Sequence, residues 1–209
     1  MRPFAHVPLL LASALCGAVL ALGASQVSAQ SPETVRLRGE IVSFDDATLA
    51  VKPRQGANAT IRLAGNFRIT GVVKASIADI KPGVFIGVSS VPKQGAASRA
   101  LEIHIFSEAL RGAGEGDRPW DLVPGASMTN GTAASMVDGV DGKTVTIAYK
   151  GGERTIAISP DTSIVTFAAA GKSDLKPGAK VFVNAKKAPD GTLIAVSVNV
   201  GKDGIAPPM

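Results

Sequence analysis

The pentapeptides DIKPG at residues 79–83 and DLKPG at residues 174–178 stand 95 positions apart, and that spacing decides how the chain is read. The offset holds without a gap from residues 56–105 onto residues 151–200. Thr60-Ile61 meets Thr155-Ile156, Ile69 meets Ile164, Val88 meets Val183 and Ala100 meets Ala195. One shared pentapeptide is within reach of chance, whereas a register kept over about 50 residues is an internal duplication.

Each copy reads as a series of short strands. VRLRGEIV, TLAVK, TIRLA, RITGVV, VFIGVSSV and ALEIHIF lie in the first copy. ASMV, TVTIAY, RTIAI, SIVTF, KVFVNAK and IAVSVNV lie in the second. They are β-branched and mostly alternating, with Gly, Asp, Asn and Pro between them, and DGVDGK and PDGT are hairpin turn signals. Six strands in about 70 positions predict an all-β fold of two tandem small OB-like or SH3-like β-barrels joined by a Gly-rich insert. The expected boundaries are a first barrel at 30–106, an insert at 107–131, a second barrel at 132–203 and a tail at 204–209. S-D-L-K-P-G is expected to form a turn or a single helical turn. Alternation turns Leu101, Ile103 and Ile105 inward with their counterparts Val196, Val198 and Val200. It leaves Glu102 and His104, like Ser197 and Asn199, outside, which makes His104 a solvated surface histidine. Only 4% of residues are aromatic, so the cores are aliphatic. Barrels this small bury a modest fraction of their surface, and the two are expected to pack together.

The beginning of the chain reads as an export leader over residues 1–29. Arg2 precedes an apolar run at residues 9–23, and Val27-Ser28-Ala29 offers a small-residue cleavage site, placing the cut after Ala29. The run is shorter than the roughly 20 residues that span a bilayer. Cys16 follows Ser13, Ala14 and Leu15, which is not the pattern of a lipoprotein signal. Removing the leader takes away Cys16 and His6. The expected mature protein is periplasmic or secreted, free of disulfides, and has His104 as its one histidine. It has no further apolar run of 18 residues, so no transmembrane segment is expected after cleavage.

The same scarcity limits the chemistry. One His without Cys does not build an ordinary transition-metal site, no cofactor motif is present, and no nucleophile elbow accompanies His104. The chain has 22 Lys+Arg against 17 Asp+Glu. That mild excess fits an envelope protein or an anionic glycan or lipid as partner better than nucleic acid. Arg36, Arg38, Arg54, Arg62, Arg68 and Arg99 lack the interleaved stacking aromatics of single-strand binders.

Between the copies lies SEALRGAGEGDRPWDLVPGASMTNG, which has no counterpart in the second copy and carries the protein's one Trp. A segment this long is usually functional or disordered. Three readings compete. The insert is a clasp with Trp120 in the seam between barrels, a disordered linker, or a loop presenting a binding site. In the last reading Arg111, Glu115, Asp117, Arg118, Trp120 and Asp121 are the ligand- or partner-binding candidates, with Trp120 as a stacking face. Gly112, Gly114 and Gly116 do not make a dinucleotide loop, because Pro119 follows and no helix does. Glu108, Glu115, Asp117 and Asp121 offer the carboxylates from which a glycosidase pair could be drawn.

The D-[IL]-K-P-G pattern, the V-x-V-type strand after it and DGTLIAVSV at residues 190–198 resemble exported bacterial domains of unknown function built of OB-like barrels. RGAGEGDRPWDLVPGASMTNGT at residues 111–132 resembles a segment of small exported proteins of proteobacteria, some of them labelled metal transporter permeases. The resemblance covers most of the expected mature chain, and its motifs are structural. A permease is at odds with a chain whose leader alone is apolar enough to enter a membrane, which leaves an accessory role beside a transporter. The sequence thus predicts a non-enzymatic binding or scaffold protein of the cell envelope. A glycan-active hydrolase and an accessory of metal transport are the alternatives.

Overall fold

In the computed structural model, which describes residues 33–139 and 142–208, the two D-x-K-P-G motifs have the same local role. Asp79 Oδ2 accepts from the Ser76 N–H at 2.8 Å and Asp174 Oδ2 from the Gly171 N–H at 2.8 Å. Each bond closes a single 3-10 turn, Ile77–Asp79 or Lys172–Asp174. Gly83 and Gly178 follow at φ 90° and 85°, a left-handed conformation that glycine enters without steric cost. Their N–H groups donate to the opposite copy, Gly83 to Ala133 O at 2.8 Å and Gly178 to Ile41 O at 2.9 Å. The export leader and cleavage site expected from the sequence lie outside the described residues.

The chain is all-β. The first copy gives β1 (Thr34–Phe44), β2 (Thr48–Pro53), β3 (Ala59–Lys74), β4 (Phe85–Lys93) and β5 (Ala96–Ile105). The insert holds β6 (Gly116–Pro119). The second copy gives β7 (Ser127–Gly139), β8 (Gly142–Tyr149), β9 (Gly152–Ile158), β10 (Ser163–Ala168), β11 (Lys180–Lys187) and β12 (Leu193–Gly201). TIRLA and RITGVV, read from sequence as two strands, run together as the 16-residue β3. No helix among the described residues is long and apolar enough to cross a membrane.

Strand pairing closes two rings, and each draws on both copies. In the first, β1, β2 and β3 pair antiparallel in succession, β3 pairs parallel with β12, β12 antiparallel with β11, and β11 returns to β1. In the second, β7, β8 and β9 pair in succession, β9 lies parallel to β5, β5 pairs with β4, and β4 returns to β7. The cores follow the rings. Ile41, Leu49 and Ile61 pack with Val183, Val198 and Val200, while Ile86, Val88 and Ile103 pack with Val145, Ile147 and Ile156. The barrels are therefore intertwined rather than one to a copy. The physical reason lies in β3, whose second half runs straight on instead of turning back, so the hairpin after it reaches the other ring. β10 is the matching crossing, and it pairs antiparallel with β3 with Phe167 opposite Val72. Those two residues are themselves 167 − 72 = 95 apart, so a local two-fold axis passes between them.

Two details of the strand reading change. The register skips Leu101 in β5 and Val196 in β12, so both are bulge residues, and Ala100 and Ala195 take the core positions beside them. Glu102 and His104 do point out of their barrel, but they are 3% and 2% exposed. The outer face of β5 is covered: His104 faces Val165 of β10 in the register, and its ring lies 5.7 Å from that of Phe167. Phe106 stacks between Phe85 and Phe167, at 5.4 Å from each.

Candidate functional site

The insert leaves β5 through a 3-10 turn, Glu108–Leu110. Arg111 pairs with Glu108 and donates to Gly83 O at 2.8 Å and Thr132 Oγ1 at 3.4 Å. Bonding to Glu108 raises the Arg111 pKa, and the same contact holds the Glu108 carboxyl below its usual range. Gly112, Gly114 and Gly116, at φ 82°, 57° and 121°, then reverse the chain. The glycine spacing thus serves a tight turn, from which Ala113 O accepts from Asn130 Nδ2 at 3.0 Å and Gly114 O from Arg118 Nη1 at 2.7 Å.

After the turn, β6 adds antiparallel to the edge of β7, with Arg118 opposite Met128. Pro119 has no N–H to offer, which an edge strand tolerates. Glu115 accepts from the Lys150 N–H at 2.9 Å. Asp117 accepts from Thr129 Oγ1 at 2.6 Å and from Arg154 Nη1 at 2.8 Å. Arg154 also donates to Ser127 Oγ at 2.6 Å and, in β5, to Ser98 Oγ at 2.9 Å. Beyond β6, the Trp120 backbone N–H donates to Ala126 O at 2.8 Å.

The last part of the insert crosses to the other barrel. The Trp120 ring lies between two guanidinium groups, Arg36 at 4.4 Å and Arg118 at 5.6 Å from its centroid. Asp121 bonds Arg38 at 2.8 Å and stands 3.7 Å from Arg36. Arg38 in turn covers the buried ring of Phe182 at 4.9 Å. Burial pushes the Asp121 carboxyl up, but the bond to Arg38 and the charges of Arg38 and Arg36 together hold it below its ordinary value. Burial lowers the Arg118 pKa, and the Arg36 charge lowers it further against the opposing pull of Asp117.

The six candidate residues therefore divide. Arg111, Glu115 and Asp117 fasten the insert to the barrel of β7. Arg118, Trp120 and Asp121 come together over β1 with Arg36 and Arg38. Sequence reading saw Arg36, Arg38 and Arg54 as scattered positive charge and did not join them to the insert. The available signal was the i, i+2 spacing of Arg36 and Arg38, which puts both on one strand face. Beside this cluster lies an open cleft of about 430 Å³, lined in part by Arg36, Arg38, Arg54, Gln55, Asp121 and Leu122. Arg54 has no ion-pair partner among the described residues.

The arrangement is built of charge-assisted hydrogen bonds and cation–π contacts. All four insert carboxylates are engaged by donors, and the Glu108 and Asp121 carboxyls are held below their usual range. A general acid needs the opposite shift. Among the described residues no three His, Cys, Asp or Glu side chains converge as metal ligands. No curated protein and no solved structure matches the chain. Residues 136–199 match the model of a domain of unknown function, DUF5666, so this similarity falls on the second copy, from within β7 to β12.

Proposed function

We propose that the protein is an exported, non-enzymatic binding or scaffold protein of the cell envelope, built of two intertwined OB-like barrels. Its binding surface is the cleft where the insert meets β1. The ring order, with third and fifth strands parallel, supports the OB-like reading. The observation that carries the binding reading is the open cleft beside Trp120 and Asp121, with Arg36 and the unpaired Arg54 on its walls. Such a site suits an anionic partner, whether protein or glycan. Glu108 and Asp121 are held low, which gives the hydrolase alternative no support, and among the described residues no ligand cluster favours the metal-transport alternative.

Expressed with its leader, the chain is expected in the periplasmic fraction. A photo-crosslinker at Gln55, in the cleft, is expected to capture envelope protein or glycan, and one at the exposed Val137 is not. Retention in the cytoplasm, or equal capture from both positions, would overturn the proposal.

A further inference from the structure

We infer that the open edge of β1 at residues 34–37 takes an extended, acidic peptide strand from a partner protein, in the position that β6 fills on β7. This rests on the binding reading above and names the occupant of its cleft.

The two first strands can be superposed by register. Gly39 faces Val181 and Gly131 faces Ile86, and Val181 and Ile86 are repeat equivalents, since 181 − 86 = 95. The match is supported independently, because a Cβ on Gly39 would meet Lys52 O at 2.2 Å and one on Gly131 would meet Ala148 O at 2.4 Å. Arg36 and Arg38 thus correspond to Met128 and Asn130, the residues of β7 opposite Arg118 and Gly116 of β6. One barrel carries an added strand at this edge. On the other, no described strand pairs there, and the cleft lies along it.

Backbone direction makes the edge usable. The Ile41 N–H donates to Ala179 O and Ile41 O accepts from the Gly178 N–H, so odd-numbered residues of this part of β1 bond toward β11. Arg38 O accepts from the Arg54 N–H at 2.8 Å on the opposite side. Alternation then turns the Arg36 N–H and C=O toward the cleft, where they meet no backbone partner among the described residues. β2 ends at Pro53, and beyond the Arg54–Arg38 bond no described strand covers this edge. Peptides join such edges by main-chain bonds and are selected by flanking side chains. Here the flanking charges are Arg36 and Arg54 against the single carboxylate of Asp121. On β7 the residue facing the Arg36 position is Arg118, so an acidic residue at that place is what the charge of β1 selects.

The test is an NMR titration of the full chain, ¹⁵N-labelled, with a synthetic peptide of residues 115–120 carrying Arg118→Glu, EGDEPW, which sets a carboxylate opposite Arg36. The expected result is saturable amide shifts at residues 35–38 and 55–57. The unaltered peptide EGDRPW, which sets Arg118 against Arg36, should bind about fivefold or more weakly. Arg36→Ala and Arg36→Pro remove the same guanidinium, but Arg36→Pro also removes the edge N–H and should bind about fivefold more weakly again. Arg54→Glu, which leaves the β1 backbone alone, should weaken binding as well. The inference is overturned by absence of saturable shifts, by shifts confined to residues 127–130, by equal affinity of the two Arg36 variants, or by concentration-dependent shifts at 35–38 without peptide, which would mean self-pairing. If the peptide fails while Gln55 still captures an envelope partner, the strand-addition idea falls and the binding reading stands.

Discussion

Gly87 sits between His104 and Asn130 in the register of β5, β4 and β7, and its lack of a side chain lets that buried row close. A Cβ there would stand 2.6 Å from Asn130 Oδ1 and 2.9 Å from a ring carbon of Phe106. Gly87→Ala is expected to lower stability by about 1–3 kcal/mol, read from the urea midpoint. Gly65→Ala, which meets nothing within 4 Å, should stay within about 0.5 kcal/mol. The same row explains why His104 was misread from sequence. Alternation tells which side of a strand a residue takes, but not what covers that side, and here β10 does. Ionisation matters at Glu40, which pairs with Lys180 across β1 and β11, and at Asp121, where the insert reaches β1. Hydrogen bonding to Lys180 holds the Glu40 carboxyl low. For Asp121, burial raises the carboxyl but Arg38 and Arg36 lower it further. A depressed carboxyl contributes stability that is full above its unfolded value, about 4, and lost as pH falls through the lower folded value. The thermal midpoint should therefore stay level from about pH 7 to about pH 5 and drop below about pH 4, with Asp121→Asn showing a smaller drop.

Most strands were legible because their signals are local: β-branched runs, Asp-Gly turns, and the Asp and Gly of D-x-K-P-G, whose capping bond and left-handed φ recur in both copies. β6 was not legible. GDRP has no strand propensity of its own, and its conformation is imposed by the edge of β7 on which it lies. Nor was the exchange of hairpins between barrels, because both copies carry the same apolar pattern and β4–β5 would fill either ring. Disulfide trapping distinguishes the arrangements. Thr34 faces Lys186 across β1 and β11, whereas a barrel closed within the first copy would bring Thr34 to Val91, the repeat equivalent at 186 − 95. In a Cys16→Ser chain with a protease site in the turn at residues 112–115, Thr34→Cys with Lys186→Cys should hold the cleaved halves in one band without reductant. Linkage of Thr34→Cys to Val91→Cys instead would contradict the pairing.

Across the molecule, the two rings share the β3–β10 seam and the insert spans from β7 to β1, so neither barrel has a boundary at which it could unfold alone. Trp120 fluorescence, which reports the clasp, and far-UV circular dichroism, which reports the strands, should follow one coincident urea transition. Two separated transitions would show that the barrels are independent. Truncating the Trp120 side chain to Ala should lower that single midpoint by about 2 kcal/mol, from lost packing and cation–π contact. The duplication and the all-β class were written in the sequence. The seam depends on contacts between segments that local signals do not connect.

That connectivity also sets an order of assembly during synthesis. The ring of β4, β5, β7, β8 and β9 has all its strands once residue 158 has emerged into the compartment where the chain folds. The other ring needs β12, which ends at Gly201, although its first strand begins at Thr34. Thr34 pairs with Lys186, 186 − 34 = 152 positions later, a separation that slows folding. The strands made first are the last to be enclosed, and the N-terminal third of the protein waits, with open edges, for the C-terminal end.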